Sequence, residues 1–451
     1  MSSARRSRID RWSRATRVPV AGAVLLLSVT AARAQTPPAP VAPTPAPAPA
    51  AATTQAPLRV VEFADAVREA LVRNPTIGEA AQNVTRAEAL VSQARALTFP
   101  SVSASIAATT LDKELGFDGA VTQPRNQISV TGNASYVFGG FAVVRQARDQ
   151  ADVATASSVQ ARQSVAVAAA DAYLSVIAAR RQVQVATQAV ETAQAHLDYA
   201  DRRLQGGAGS RLNQLRAAQA VSADRLQLEQ AQLGLRRAQE ALGVVLASDG
   251  PIDAGAEPAF DVPATIDEDA WMRARPDLVT QLSIQRAAER VVRDSWIDWT
   301  PFPTVSFAPQ VVAPSGLFQP SRTWRLTISA TQPIFDGGQR RATKRVRQTA
   351  VDTAKLELTG LQIQARSEVR VAQDAVQRLE RAQAIAQEAV DQASEVLRIT
   401  TSAFEIGATT NIEVIDAQRS LRDAEVAAAS SEDAVRHAKL DLLVAIGQFP
   451  Q

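Results

Sequence analysis

Cysteine is absent from the 451 residues of the chain, and only two histidines are present. The lack of cysteine excludes disulfide bonds, thiolate metal sites, cysteine nucleophiles and a lipid-modified N-terminal cysteine. Two histidines are too few for a multi-histidine metal centre. Aromatic residues make up 4% of the chain, which is little for an aromatic-rich globular core. Several kinds of site are therefore excluded before any motif is considered.

The first 34 residues have the pattern of a secretory signal peptide. This segment holds seven arginines, an apolar core at 18–29 and an A-x-A cleavage site at Ala32-Arg33-Ala34. Removing its seven arginines and its single acid changes the net charge from +2 to −4. Nucleic-acid binding then loses its electrostatic basis. A membrane anchor is the alternative interpretation, although the apolar run is short for a span.

A stretch rich in proline and alanine follows at residues 35–58. Eight prolines fall within 37–57, a composition that predicts an extended, disordered linker. A rigid arm that binds a partner is the alternative. No later stretch has 18 consecutive apolar residues, so no transmembrane helix is predicted.

The remainder of the chain is an internal duplication, in which six landmarks recur in order about 200 residues apart. The pairs are Asn74-Pro75 with Arg275-Pro276, Phe99-Pro100 with Phe302-Pro303, the β-branched run after each Phe-Pro, Val137-Phe138-Gly139-Gly140 with Ile334-Phe335-Asp336-Gly337-Gly338, Gly207-Ala208 with Gly407-Ala408, and Ala217-Ala218-Gln219 with Asp416-Ala417-Gln418. We predict repeat 1 at 59–249, a connection at 250–266 and repeat 2 at 267–449. Each repeat is expected to contain a helix, two strands, a long helix and a further helix.

The long helix of each repeat carries a coiled-coil seam. Apolar residues recur in steps of three and four from Val165 to Leu204, and a similar stripe runs from Leu358 to Leu397. The stretch from Gly140 to Gln205 would be about 100 Å long as a helix. Such a length does not suit a compact domain, and an ordinary elongated coiled coil is the alternative.

Four strands are predicted at about 101–111, 126–138, 304–312 and 323–334. In each, apolar residues alternate with polar ones, most of them small hydroxyl residues, and aromatic residues lie near the strand ends. This pattern and length are typical of tilted outer-membrane strands with interfacial aromatic residues. A half-exposed sheet in a soluble protein shows the same alternation and is the alternative.

Four strands cannot close a barrel, and open sheet edges cannot face lipid. If the strands lie in a membrane, the chain must therefore form an oligomer, and three copies would supply twelve strands. Arg325 alternates with the apolar residues of its strand. We expect it to face the lumen, because a lipid-facing arginine is costly.

Taken in order, these motifs resemble the TolC-like outer-membrane efflux protein family over roughly residues 59–449. The resemblance implies a mainly α fold with a transmembrane β portion. In it, two tandem repeats trimerise into a 12-stranded β-barrel that a long periplasmic α-helical barrel continues. It also implies a passive exit duct in the outer membrane of a Gram-negative bacterium. Its partners would be a periplasmic adaptor and an RND-type or ABC-type inner-membrane pump, as in tripartite efflux or type I secretion, with no cofactor and no catalytic residue.

The resemblance further implies functional residues at the periplasmic tip. Glu413 and Asp416 fall on the positions of the acidic constriction, and their spacing of three places both on one side of a helix. Solvated surface acids are the alternative interpretation. The tip segments that would contact the adaptor are Gly206, Gly207, Ala208, Gly407 and Ala408.

The chain departs from the best-known members of the family at the links that hold the tip closed. Asn213, Thr409 and Phe404 occupy the positions of the charged and tyrosine partners there, so those links cannot form as charged pairs. Arg211 and Arg216 lie at the level of Glu413 and Asp416. We therefore hypothesise an arginine–carboxylate latch in their place.

Motifs of enzymes are missing from the sequence. There is no G-x-S-x-G, no H-E-x-x-H and no lysine at the Walker position after the glycines at 206–209. His196 and His437 lie on amphipathic helices without a partner at ligand spacing. The main alternative to a channel is a periplasmic structural or adaptor coiled coil without a pore. The cargo is not indicated.

Overall fold

The computed structural model describes residues 58–263 and 265–449, and most of these residues are helical. The predicted signal peptide and all but the last residue of the predicted linker lie outside the described residues. Repeat 1 contains β1 (Arg59–Val61), α1 (Phe63–Arg73), α2 (Pro75–Ala96), β2 (Ser101–Thr110), β3 (Leu115–Phe117), β4 (Ala120–Gln123), β5 (Asn126–Val137), α3 (Phe141–Gln205) and α4 (Arg211–Val245). Repeat 2 follows β6 (Ile252–Ala254) and contains α5 (Glu268–Ala274), α6 (Pro276–Arg293), a 3₁₀ helix (Asp294–Trp299), β7 (Phe302–Ala313), β8 (Arg322–Thr331), α7 (Gln339–Glu405) and α8 (Asn411–Ala445).

The first helical stretch of each repeat is split in two at a proline. Asn74 and Arg275 have extended backbones, and Pro75 and Pro276 begin the next helix. A proline disfavours the helical conformation of the residue before it, so each dipeptide ends one helix and starts another. The amide of Asn74 also donates to the carbonyl oxygen of Val245 at 2.9 Å, which ties the break to the end of α4.

The short strands and the 3₁₀ helix of the fold were not predicted. The connection at 250–266 contains β6, which pairs in parallel with β1, and a small hairpin of β3 and β4 lies between β2 and β5. The 3₁₀ helix precedes β7. These strands have only three or four residues, which is too short for hydrophobic periodicity to distinguish them from loops.

The four long strands form one antiparallel sheet in the order β2-β5-β7-β8. Their register brings the alternating patterns into phase, so one face is almost wholly apolar and the other mostly polar. The apolar face includes Val102, Ile106, Ile128, Val130, Val305, Phe307, Trp324, Leu326 and Ile328. Arg325 lies opposite Ala308 on the other face, among serine and threonine residues. A slip of one residue in any strand would mix the two faces.

The apolar face of this sheet is exposed. Ile106 keeps 76% of its surface accessible, and Ile128 and Val130 of the central strand β5 are more exposed than their polar neighbours. Every residue of the two edge strands, β2 and β8, is exposed as well. A soluble domain with a half-exposed sheet would bury its apolar face, so this single chain does not fit that alternative.

Two long helical hairpins extend from one end of the sheet. The helices α3 and α7 have 65 and 67 residues, and each is joined by a short turn to a 35-residue helix, α4 or α8. All twelve seam residues predicted from Val165 to Leu204 are buried or partly buried. In repeat 2 the same holds for all but one member of the stripe, since Ala382 is exposed. Among the described helices, none is both long enough and apolar enough to cross a membrane.

The core lies partway along the hairpins, where the short helices and the β1–β6 pair surround α3, α7 and α8. Tyr173 is fully buried, and its hydroxyl donates to the carbonyl oxygen of Ala256 at 2.7 Å. Phe63 meets the rings of both Tyr173 and Phe260 edge-on at 5.5 Å. These aromatic contacts connect the two core clusters and hold the repeats together at this level.

Candidate functional site

The end of the molecule remote from the sheet is formed by two matching turns. Gly207 and Gly407 adopt left-handed backbones with φ of 76° and 80°. The next residue donates its N–H back to the helix in both turns, from Ala208 to Arg203 O at 2.9 Å and from Ala408 to Ala403 O at 2.8 Å. This is the Schellman arrangement, in which glycine avoids the strain of a positive φ. The equivalent turns bring the starts of α4 and α8 to the same level.

The tip residues predicted to contact an adaptor are all exposed: Gly206, Gly207, Ala208, Gly407 and Ala408. They lie at the surface of both turns, and nothing in the described chain packs over them closely enough to bury them. A partner therefore has access to the backbone of both turns.

The two predicted gate carboxylates lie on the first two turns of α8, and both are exposed. Glu413 accepts hydrogen bonds from the hydroxyls of Thr409 and Thr410, the latter at 3.3 Å. Asp416 lies 3.8 Å from the guanidinium of Arg419. An exposed pair with this separation contributes little to stability, so both carboxylates remain available to solvent or to a neighbouring chain.

The hypothesised latch does not form within one chain. Arg211 donates to the amide oxygen of Gln214, and Arg216 is exposed. In the part of the chain that the structure describes, no ion pair joins either arginine to Glu413 or Asp416. A latch would therefore have to form between chains, and it stays a prediction.

A buried polar contact at the tip was missed by the sequence analysis. Nε2 of His196 on α3 lies 2.7 Å from Oδ1 of Asn411, the first residue of α8. Asn411 is only 2% exposed, and its amide also donates to the carbonyl oxygen of Asn213 on α4 at 3.4 Å. This pair links hairpin 1 to hairpin 2. Its sequence signal was the position of His196, three residues after Ala193 and four before Ala200, which places it on the buried face.

Aromatic side chains surround this contact. The ring of Phe404 lies near both His196 and Tyr199, and the guanidinium of Arg203 stands 5.4 Å from its centroid. Arg203 also donates to the carbonyl oxygen of Phe404 at 3.3 Å. Phe404 thus takes part in a link between the hairpins, through packing and a cation–π contact. Further along, Arg422 of α8 pairs with Asp224 of α4 at 2.6 Å.

Mild acid is expected to loosen the tip through His196. Burial lowers the pKa of this histidine from its ordinary value of 6.5, although the bond to Asn411 acts in the opposite direction. The unfolded chain then binds the proton more readily, so stability is lost as the pH falls below about 6.5 towards the lower folded pKa. Hydrogen exchange of the segments 193–204 and 404–417 should be faster at pH 5.0 than at pH 7.5, after correction for intrinsic rates.

His196→Gln provides the matched control, because its amide can still bond Asn411 but does not titrate. Exchange at the tip of this variant should depend much less on pH. An equal acceleration in both proteins would remove His196 as the cause.

The comparisons with known proteins agree with this geometry. The profile of a family described as outer membrane efflux protein matches residues 66–248 and 275–448, which are the two repeats without their connection. Outer membrane protein OprJ of Pseudomonas aeruginosa is 28% identical over 298 residues, which cover 64% of this chain and 62% of OprJ. Toluene efflux pump outer membrane protein TtgC of Pseudomonas putida is 26% identical over 408 residues, covering 84% of this chain and 82% of TtgC.

The same fold occurs in a solved structure. The outer membrane protein VceC from Vibrio cholerae superposes with a TM-score of 0.74 at 20% identity. The match covers 86% of this chain and 96% of VceC. At this identity the likeness concerns the fold.

Proposed function

The chain belongs to the outer membrane efflux protein family, and from this premise we propose that three copies form a passive exit duct. The resemblance noted in the motifs is confirmed by the match to both repeats. The family description also confirms the predicted location in the outer membrane.

The observation that carries the proposal is the four-stranded sheet, with its exposed apolar face and its two unpaired edges. In a membrane the exposed face would meet lipid, and the edges would pair with the sheets of two neighbouring copies. A strand of ten to twelve residues, tilted by about 45°, spans about 25 Å, which matches the apolar band of an outer-membrane barrel. Three copies would close a barrel of twelve strands, with Arg325 in its polar lumen.

The helical hairpins support the same assembly. Besides its buried seam, α7 carries a second set of exposed apolar residues: Leu356, Ile363, Val371, Ile385 and Val396. Exposed apolar residues along a helix are costly in water and would be covered by a neighbouring copy. The hairpins would then form a helical duct about 100 Å long that extends into the periplasm.

The duct itself would supply no energy for transport. We propose that the exposed turns at Gly206, Gly207, Ala208, Gly407 and Ala408 dock a periplasmic adaptor. An RND-type or ABC-type pump in the inner membrane would deliver the cargo. Because the cargo is selected upstream, efflux and type I secretion would use the same duct.

Glu413 and Asp416 are proposed to form the constriction at the tip. Three chains would place six carboxylates around one opening, and a ring of acidic side chains favours cations over anions. The exposure of both side chains leaves them free to line such an opening.

Single-channel conductance in a planar bilayer tests this proposal. The wild-type trimer should pass small, cation-selective currents. Glu413→Gln/Asp416→Asn removes the six charges, and we expect the conductance to rise by about twofold or more and most of the cation selectivity to disappear.

Two further variants sharpen this measurement. Glu388→Gln/Asp391→Asn removes the same charge from exposed positions roughly 20 Å before the end of α7, and it should leave the selectivity nearly unchanged. Arg216→Ala should raise the open probability if a latch forms between chains. Unaltered currents in the Glu413/Asp416 variant would still support a channel but would mean that other residues form its constriction. A folded, inserted trimer without any current would favour the structural coiled coil instead.

A further inference from the structure

The junction between the sheet and α7 exposes two large apolar side chains. Ile334 and Phe335, which follow β8 by a few residues, are 96% and 89% exposed. Trp296 and Trp299, just before β7, are also exposed at the same end of the sheet, although the guanidinium of Arg340 stands 4.7 Å from the ring centroid of Trp299. Such residues are costly in water, and they are typical of the boundary between the hydrocarbon and the headgroups of a membrane.

A run of positive charge begins immediately beyond this apolar junction. The first nine residues of α7 contain five basic residues, Arg340, Arg341, Lys344, Arg345 and Arg347, and the next acid along the chain is Asp352. Two of the five are paired within the chain, Arg340 with Asp336 at 2.7 Å and Arg347 with Asp298 at 2.6 Å.

The other three, Arg341, Lys344 and Arg345, are exposed. Within residues 58–263 and 265–449, no carboxylate approaches any of the three to within 4.0 Å. Their charge is therefore not compensated by the described part of the chain.

The corresponding start of α3 does not share this excess. There Arg145 pairs with Asp294 at 2.9 Å, and Asp149 pairs with Arg290 at 2.8 Å. Among the described residues, Arg148 alone at this junction of repeat 1 is a cation without a carboxylate within 4.0 Å, compared with three such cations in repeat 2. Folding alone does not account for three unpaired cations at the same place in repeat 2.

Asp336 already occupies N–H groups at the start of α7. The carboxylate of Asp336 accepts from the backbone N–H groups of Gly338 and Arg340, each at 3.0 Å. The Arg340 guanidinium, which bonds the same carboxylate, and these N–H groups lower the pKa of Asp336 to about 2. An additional anion at this place would therefore be bound by the side chains of Arg341, Lys344 and Arg345.

The depth of these side chains matches a headgroup layer. At a rise of 1.5 Å per residue, positions 341–345 lie about 3 to 9 Å along α7 from Gln339. The polar headgroup region on each side of a bilayer is about 5 to 8 Å thick. The basic side chains would thus lie at the level of the phosphates when Gln339, the first residue of α7, lies at the edge of the hydrocarbon.

We propose that Arg341, Lys344 and Arg345, together with Ile334 and Phe335, form a docking surface for anionic glycerophospholipids. The lipid would belong to the leaflet on the helical side of the outer membrane. Its phosphate would accept hydrogen bonds from the two guanidinium groups and the ammonium group, and its acyl chains would cover the two apolar side chains. The proposal rests on the membrane-inserted trimer proposed above, which would carry three such surfaces.

Native mass spectrometry of the detergent-solubilised trimer tests the lipid surface with phosphatidylglycerol as the probe. We expect the wild-type trimer to bind up to three molecules in preference to phosphatidylcholine. Arg341→Gln/Arg345→Gln should weaken this binding by about tenfold, since each basic side chain adds electrostatic attraction for an anionic lipid. The control Arg370→Gln/Arg381→Gln removes the same charge from exposed positions further along α7 and should bind like the wild type.

The other outcomes would overturn the proposal. Equal affinity of the wild type for the two lipids would show that these side chains do not select the headgroup. An equal loss of phosphatidylglycerol affinity in the Arg341/Arg345 variant and the Arg370/Arg381 control would show the same. Binding of free glycerol phosphate as tight as that of the lipid would assign the cations to a soluble phosphate. Dissociation of the Arg341/Arg345 variant into monomers would assign them to contacts between copies. Conductance of the same wild-type sample reports separately on the duct, so failure of the lipid surface and failure of the proposed function are distinguishable.

Discussion

Replacing Leu326 with arginine is expected to destabilise the membrane-inserted protein strongly, whereas the same replacement at Thr327 is expected to be tolerated. The two residues are neighbours near the middle of β8, so they would lie at nearly the same depth in a membrane. Leu326 belongs to the exposed apolar face opposite Phe307, and Thr327 belongs to the polar face opposite Ser306. An arginine at the bilayer midplane on the lipid side costs about 2 to 4 kcal/mol, and a lumen position avoids this cost.

Urea titration of folding into phospholipid vesicles measures the folding free energy of the two variants. Leu326→Arg should lower the folding free energy by about 2 to 4 kcal/mol per chain, and Thr327→Arg by less than about 1 kcal/mol. The natural Arg325 on the polar face of the same strand shows that a cation is accepted on that face. Equal losses at the two positions would mean that the apolar face does not meet lipid.

Replacing Arg181 with methionine is expected to destabilise the junction of the repeats by about 2 kcal/mol, between the values for an exposed and a buried ion pair. Arg181 of α3 bonds Glu257 of the connection, and it lies 2.8 Å from Glu432 and 3.2 Å from Asp433, both of α8. Arg436 reaches the same three carboxylates. The side chains of Arg181 and Asp433 are only 15% and 13% exposed. Without Arg181, three carboxylates would share one arginine. The mostly buried Asp433 would lose one of its two partners, whereas water would screen the more exposed Glu257 and Glu432.

An exposed pair serves as the matched control. Arg378 lies 2.6 Å from Asp374 on the surface of α7, and Arg378→Met should leave the stability almost unchanged, because water screens an exposed ion pair. Denaturant unfolding of the detergent-solubilised protein, followed by circular dichroism, compares the two variants. If Arg181→Met lost no more stability than Arg378→Met, the cluster would be a set of solvated surface charges.

The strands and the long helices followed from local patterns. Alternation with a period of two predicted the strands at about 101–111 and 126–138, and the structure has them at Ser101–Thr110 and Asn126–Val137. Steps of three and four predicted the seam of α3, whose members are all at least partly buried. These patterns are readable because each residue's direction depends only on its position along its own element. Ala382, which is exposed, shows where such a pattern fails to predict burial, since burial also depends on how far a neighbouring helix extends.

The contacts at the tip could not be predicted from local sequence patterns. The spacing of Glu413 and Asp416 placed them on one face of α8, which is a local property. The bond between His196 and Asn411 joins residues 215 positions apart, and neither one has a neighbour in sequence that marks the other as its partner. Similarly, Arg211 and Arg216 lie at the start of α4 as Glu413 and Asp416 lie at the start of α8, but the orientation of the two helices determines whether their charges meet.

Sequence alone determined the duplication, the element types and the two-faced character of every long strand, because these depend on composition and period. Only the tertiary structure decided the register that joins four alternating strands into one apolar face, and the pairing of β1 with β6 across about 190 residues. It also decided which polar side chains are buried together, as with His196 and Asn411 or Arg181 and Asp433. The physical reason is that such contacts follow from the packing of whole elements, whose relative positions no local pattern encodes.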